Sequence, residues 1–183
     1  MTEHLLPMPD RRSTDEHGHD LIDPLYVAIV TVSSTRGPGD DPGGDAAAEL
    51  VREAGGRVTE RAHIADDYAA IKGTVGRLAA DPDVDCVVTT GGTGVTVDDV
   101  TPDACAGLFD REIPGFGELF RAISYEEIGT RAMASRATAG IVGGVPVFCL
   151  PGSTNAVRTA MGELILPEAP HLAGLATRHL VGD

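Results

Sequence analysis

A glycine-rich turn at residues 91–94 is the part of the chain whose composition points most directly to chemistry. Gly91, Gly92, Thr93 and Gly94 follow an apolar run that ends in two threonines. Glycines permit positive φ angles and close approach of the backbone to a ligand, and consecutive N–H groups can then bind an anion. The pattern is neither Walker A, which requires Gly-Lys-Ser/Thr, nor the dinucleotide-binding G-x-G-x-x-G. It predicts a phosphate-binding turn, with a plain tight turn as the alternative.

Two aspartates, Asp98 and Asp99, follow this turn within five residues. Carboxylates beside bound phosphates repel them unless a divalent cation lies between, and Mg²⁺ takes one or two carboxylates together with phosphate oxygens. We therefore predict a Mg²⁺-assisted site that includes Asp99. Asp98 could instead satisfy the first N–H groups of the helix that Thr101 and Pro102 open.

A second candidate anion loop lies between a predicted strand and a predicted helix, at Pro151, Gly152 and Ser153. The free N–H groups of a helix N-terminus favour anions, although capping alone would also explain Ser153. Among the arginines, Arg136 is the best candidate for bidentate binding of phosphate or carboxylate, because it opens a predicted strand. Most of the others are expected to form surface ion pairs.

The elements that must position these loops alternate between strands and helices, which predicts a three-layer α/β/α domain with a mostly parallel sheet and a C-terminal hairpin. Ligands bind such sheets at the carboxyl ends of the strands. The loops at 33–45, 91–101 and 151–155 all leave such ends. Strands are predicted at 25–33, 57–64, 84–90, 137–142 and 146–150, and helices at 46–54, after Asp66 or Asp67, and at 103–109, 114–124, 126–134, 155–165 and 170–180.

Composition limits the function classes. The 183 residues include 28 Asp and Glu against 14 Lys and Arg, a net charge of −14, which argues against binding of nucleic acid or anionic lipid by bulk charge. Lys72 is the single lysine, which indicates either a halophilic protein or a coding bias that replaces lysine. Residues 1–24 are predicted to be a flexible acidic tail, and 25–183 a single domain.

The cysteines and the absence of targeting signals indicate a cytoplasmic protein. Cys86 and Cys149 lie in apolar runs, and no C-x-x-C occurs, so we expect buried free thiols. The N-terminus lacks the charged and apolar regions of a signal peptide, and no apolar run has the length of a membrane span.

Four stretches together resemble the MoaB/MogA family of molybdenum cofactor biosynthesis proteins. They are TTGGTGVTVDDVT at 89–101, PGFGE at 114–118, MASRATAG at 133–140 and LPGS at 150–153, and the run at 108–129 is most similar to the MoaB branch. The likeness covers roughly residues 25–170. It implies adenylylation of molybdopterin by ATP, with Mg²⁺ as cofactor and pyrophosphate as the second product.

The resemblance also implies roles for individual residues. Asp66 and Asp99 match the family's two essential acids and would act in catalysis and in holding the metal. The glycine turn and the loop at 151–153 match the nucleotide-phosphate loops. The pterin side would be lined by Ser124, Ser135 and Arg136.

Alternatives remain at this level. Some proteins of the MoaB branch lack the first acid and are thought not to adenylylate molybdopterin. The presence of Asp66 in this chain therefore favours an enzyme. A non-catalytic molybdopterin carrier is the second hypothesis, and hydrolysis of a nucleotide diphosphate the third. The family implies a trimer or hexamer, and a molybdenum insertase of the MoeA type as a partner.

Overall fold

The structure, a computed structural model, describes residues 11–177. The first ten residues of the expected tail and the end of the last predicted helix lie outside this range. The strands are β1 (Arg12–Thr14), β2 (Asp20–Ile22), β3 (Tyr26–Val32), β4 (Arg57–Ile64), β5 (Cys86–Thr90), β6 (Arg111–Glu112), β7 (Thr138–Val142) and β8 (Val145–Leu150). The α-helices are α1 (Pro42–Glu53), α2 (Tyr68–Ala79), α3 (Thr101–Ala106), α4 (Pro114–Ile128), α5 (Thr154–Ala160) and α6 (Leu166–Thr177).

A six-stranded sheet in the order β4-β3-β5-β8-β7-β6 forms the centre of the molecule. The four strands β4, β3, β5 and β8 are parallel to one another. Strand β7 forms an antiparallel hairpin with β8, and β6 pairs antiparallel with β7. The predicted fold class, including the C-terminal hairpin, is confirmed.

Helices cover both faces of the sheet, because alternate residues of each strand point to opposite sides. Val27 and Ile29 of β3 belong to one core, with the buried faces of α1, α4, α5 and α6. Val30 and Val32 belong to the other, with α2 and α3. All three cysteines are buried free thiols, as predicted, and burial raises the pKa of the Cys86 thiol. Among residues 11–177 no helix is long and apolar enough to cross a membrane.

The strand order reverses between β3 and β5, because the chain passes from β3 outward to β4 and then returns to the other side of β3. Loops that leave a sheet at such a switch point diverge and open a crevice at the carboxyl ends of the strands. This edge, called the site edge below, carries the loops that follow β3, β4, β5 and β8.

Residues 11–24, which were predicted to belong to a flexible tail, contain two short strands. Strands β1 and β2 form a hairpin, and Asp15 closes its turn by accepting hydrogen bonds from the amides of His17 and His19, both 2.8 Å. The Arg11 guanidinium pairs with the Asp85 carboxylate at the edge opposite the site edge. These short, polar strands have no apolar period, and their stability comes from contacts with distant parts of the chain.

Three helix boundaries also differ from the prediction. Helix α1 begins at Pro42 because Asp41 caps it, accepting from the Gly44 amide at 2.9 Å. The two helices predicted over 114–134 are α4 and a 3₁₀ helix (Gly129–Ala134), joined at Gly129 with φ +63°. The two predicted over 155–180 are joined by a π-helical segment (Met161–Ile165) into a run that continues past Pro170.

Candidate phosphate-binding site

The glycine turn at residues 91–94 lies at the centre of the site edge, between the ends of β3 and β8. The Gly91 amide donates to the Leu150 carbonyl at 2.9 Å. Gly91 has φ +99°, and a Cβ atom there would overlap the Val32 carbonyl oxygen. A side chain at this position would therefore clash with backbone and also strain its own backbone. The fold therefore requires glycine at position 91, whether or not the turn binds a ligand.

The second predicted anion loop meets this turn directly. A Cβ atom at Gly152 would lie 3.3 Å from the Gly91 Cα atom, and one at Gly43 would lie 3.0 Å from the Gly152 carbonyl oxygen. The Ser153 hydroxyl accepts from the Ala156 amide at 3.3 Å and so caps α5. The loop before α5 thus contacts the glycine turn, and the first turn of α1 packs against that loop.

Asp66 approaches the turn from the end of β4. Helix α2 is capped by its neighbour Asp67, which accepts from the Ala70 amide at 2.8 Å, so Asp66 is not needed as a cap. The Asp66 carboxylate accepts from the Ser34 amide at 2.7 Å, and the Ser34 hydroxyl accepts from the Asp66 amide at 2.9 Å. A Cβ atom at Gly92 would lie 3.2 Å from Asp66 Oδ1. The side chain is therefore fixed with one oxygen toward the turn.

Asp99 reaches the same turn from the other side. A Cβ atom at Gly94 would lie 2.7 Å from Asp99 Oδ2, and that oxygen accepts from the Thr96 amide at 2.9 Å and hydroxyl at 2.7 Å. Partial burial acts to raise the pKa of Asp99. The hydrogen bonds from Thr96 and Gly94, with the Arg136 charge, outweigh burial and hold the pKa below its ordinary value. The carboxylate is ionised at neutral pH.

Thr101 was predicted to cap a helix and does not. Helix α3 has no side-chain cap, so Asp98 does not cap it either. The Thr101 hydroxyl is buried without a hydrogen-bond partner in the described part of the chain, and it faces Gly92 so closely that a Cβ atom there would overlap it. Buried polar atoms normally have a partner, so this hydroxyl is a donor available to a group bound at the turn.

Arg136 braces the glycine turn. Its backbone amide donates to the Thr93 carbonyl and its Nε to the Gly94 carbonyl, both at 2.8 Å. Its Nη1 lies 3.0 Å from the Asp103 carboxylate, and its Nη2 donates to the Asp99 carbonyl. The expected direct contact between Arg136 and the pterin stays a prediction, because the contacts seen here are to the protein itself.

The other two predicted pterin residues are positioned differently from each other. Ser135 is half-buried next to Arg136, and its hydroxyl accepts from the Ala137 amide at 3.3 Å. Ser124 is buried on α4, and none of its described contacts joins it to the turn. Ser34 and Thr101 contact the site and were not predicted. Their only sequence signal was a position in a loop at the carboxyl end of a strand.

The donor set fits a magnesium ion that is shared with a substrate. Over residues 11–177, no group of three or more His, Cys, Asp or Glu side chains is placed to hold a metal ion. Asp66 and Asp99 supply carboxylate oxygens, the ligands that Mg²⁺ prefers, and it usually needs only one or two of them when phosphates complete the shell. The protein alone would hold the ion weakly, and together with a polyphosphate more tightly.

A shallow depression lies beside Asp99. It measures about 370 Å³ and is lined by Thr96, Val97, Asp99, Asp103 and Arg136, but not by Asp66 or the glycine turn. Exposed valines rim it, with Val97 91% exposed. A ligand bound in this depression would contact the loops on one side only and would remain accessible to a second substrate.

Comparison with known proteins identifies the family of the chain. Residues 28–171 match the family model described as a probable molybdopterin binding domain, which defines the class of the protein. The relatives include molybdenum cofactor biosynthesis protein B of Bacillus cereus, 47% identical over 161 residues that cover 87% of this chain and 95% of the relative. The protein of the same name from Escherichia coli K12 is 45% identical over 145 residues, 79% of this chain and 85% of the relative.

Solved structures give the same result. A crystal structure of molybdenum cofactor biosynthesis protein B has a TM-score of 0.82 and 48% identity, covering 84% of this chain and 96% of that one. The tungsten cofactor synthesizing protein MoaB of Pyrococcus furiosus has a TM-score of 0.76 and 38% identity, covering 84% and 98%. The chain belongs to the MoaB/MogA family, in its MoaB branch.

Proposed function

We propose that the chain is a Mg²⁺-dependent adenylyltransferase that transfers AMP from ATP to molybdopterin. The observation that carries this proposal is the convergence of Asp66 and Asp99 on one glycine turn, beside Gly92 and Gly94 respectively. Amides and acids at the same turn suit a polyphosphate that arrives with a cation. Neither a simple anion site nor a simple metal site explains both.

In the proposed reaction, a terminal phosphate oxygen of molybdopterin attacks the α-phosphorus of ATP. The bond from that phosphorus to the oxygen bridging to the β-phosphorus breaks, and pyrophosphate leaves. This chemistry needs alignment and charge stabilisation more than covalent catalysis. The backbone amides of Gly92 and Thr93 would bind the phosphates, and the Thr101 hydroxyl would donate a further hydrogen bond.

Asp66 and Asp99 would hold the magnesium ion in this proposal. When bound, Mg²⁺ neutralises phosphate charge and favours the departure of pyrophosphate. Ser34 fixes Asp66, and Thr96 fixes Asp99. Both carboxylates are therefore already ordered in the folded protein before a ligand binds. Ser124, Ser135 and Arg136 remain the predicted pterin side of the site.

Self-association and delivery of the product to a MoeA-type insertase complete the proposal, with the cytoplasm as the compartment. Large apolar side chains are exposed on and after α4, which supports a trimer or hexamer. They are Leu119, Tyr125, Ile128 and Met133.

Matched pairs of variants test the catalytic assignment. Asp66→Asn and Asp99→Asn should each lower pyrophosphate release from ATP, Mg²⁺ and molybdopterin by at least about 100-fold. The exposed neighbours provide the controls, and Asp67→Asn and Asp98→Asn should stay within about threefold of the unmodified protein. Thermal unfolding would verify that each variant is folded.

Three results would contradict the proposal. Full activity of a folded Asp99→Asn variant would remove the site assignment. Tight binding of molybdopterin by the unmodified protein, with no pyrophosphate release, would instead indicate a carrier. ATP turnover without pterin would point to nucleotide hydrolysis.

A further inference from the structure

The site edge is strongly acidic for a site that would bind a polyphosphate. Asp66, Asp67, Asp98 and Asp99 all lie on its loops. Arg136 is a cation on these loops, but its guanidinium is held by Gly94, Asp99 and Asp103. One magnesium ion offsets two of these charges and leaves a bound triphosphate facing net negative charge.

Arg36 is an arginine on the same loops whose side chain has no partner in residues 11–177. It lies in the loop that follows β3 and is exposed. Its backbone amide donates to the Ser33 hydroxyl at 3.1 Å, and none of the described ion pairs uses its guanidinium. An arginine without a partner is available to bind an anion.

The loop is fixed so that Arg36 stays close to Asp66. Ser34 and Asp66 exchange two hydrogen bonds, at 2.7 and 2.9 Å, and the Ser33 amide donates to the Ile64 carbonyl at 2.9 Å. Arg36 follows Ser34 by two residues, so its Cα atom is within about 7 Å of that anchor. The long side chain can therefore reach a ligand held at Gly92 and Asp66.

We propose that Arg36 binds the phosphates of the nucleotide, and that Arg136 acts as a fixed brace for the turn. This inference rests on the proposed function and names the residue that recognises its nucleotide. The guanidinium fork suits phosphate oxygens bidentately, and an ammonium group does not reproduce that geometry. Arg36 shares its loop with Ser34, which holds Asp66 beside Gly92, and this link favours ATP over the phosphate of molybdopterin.

Calorimetric titration with Mg²⁺ and ATP, in the absence of molybdopterin, tests this role. Arg36→Gln should raise the Kd about tenfold, and Arg36→Lys by a smaller factor. Arg52→Gln is the matched control, because Arg52 is an exposed arginine at the far end of α1, and its Kd should change less than twofold. A parallel titration with molybdopterin should give the same Kd for Arg36→Gln and the unmodified protein.

The outcomes separate this inference from the proposed function. If the unmodified protein binds Mg-ATP and Arg36→Gln binds it equally well, the Arg36 assignment is wrong and the adenylyltransferase proposal stands. If Arg36→Gln loses molybdopterin instead of ATP, the residue serves the pterin phosphate and the assignment is again wrong. If the unmodified protein binds no nucleotide, both are overturned.

Discussion

The two edges of the sheet differ both in the size of their cavities and in whether their polar side chains are paired. The edge opposite the site edge has the larger cavity, about 560 Å³, whereas the depression at the site edge measures about 370 Å³. In the larger cavity Arg11 is paired with Asp85, and Arg12 donates to the Thr177 hydroxyl at 2.7 Å. At the site edge a buried hydroxyl and an exposed arginine have no side-chain partner in residues 11–177. The proposed function uses these two polar groups and not the larger cavity.

Among substitutions that distinguish the two edges, Gly91→Ala is expected to have the largest effect on stability and on Mg-ATP binding. The substitution forces a Cβ atom into the Val32 carbonyl oxygen at φ +99°. It should lower the free energy of unfolding by about 3 kcal/mol and abolish binding of Mg-ATP. Urea unfolding and calorimetry measure the two effects.

Gly174→Ala is the counterpart at the opposite edge. A Cβ atom at Gly174 would overlap the Asp20 carbonyl oxygen, so the N-terminal hairpin must shift, but nucleotide affinity should not change. Gly73→Ala, in α2 with no atom near its Cβ, serves as the control and should stabilise the protein by about 0.5 kcal/mol. Equal loss of nucleotide binding in the Gly91 and Gly174 variants would show that the two edges are not independent.

A smaller effect is expected from Arg11→Gln. The Arg11 and Asp85 side chains are only 15% and 14% exposed, and the guanidinium also lies 3.8 Å from the centre of the Tyr26 ring. Loss of the cation leaves a partly buried carboxylate and should cost about 2 kcal/mol of stability.

Arg77→Gln is the control for that substitution. Arg77 pairs with Glu60 at the surface, where both side chains are well exposed, so the loss should be below about 0.5 kcal/mol. Neither variant should alter the Kd for Mg-ATP. A similar cost for both would mean that the Arg11 pair contributes no more than a surface pair.

The sequence predicted the layers and the site edge because both depend on local patterns. Buried β-branched strands such as β3 and the glycine turn are visible in the residue order. The hairpin at 12–22 was missed because its stability comes from distant partners, namely Asp85, Thr177 and Gly174. Neither the bracing contacts of Arg136 nor the link between Ser34 and Asp66 could be predicted, since each joins residues more than 30 positions apart.

The choice between Asp66 and Asp67 also needed coordinates. Both precede α2, and either could have capped it on sequence grounds. The structure assigns the cap to Asp67, which leaves Asp66 available at the turn. A difference of one residue decided which acid faces the site, and only the backbone geometry reveals it.

A crystal structure with Mg²⁺ and a non-hydrolysable ATP analogue is the most direct test of the central claim. The account predicts triphosphate oxygens within hydrogen-bond distance of the amides of Gly92 and Thr93, with the ion shared between the phosphates and one or both of Asp66 and Asp99. A nucleotide seated in the larger cavity beside Arg11 and Asp85 would contradict it.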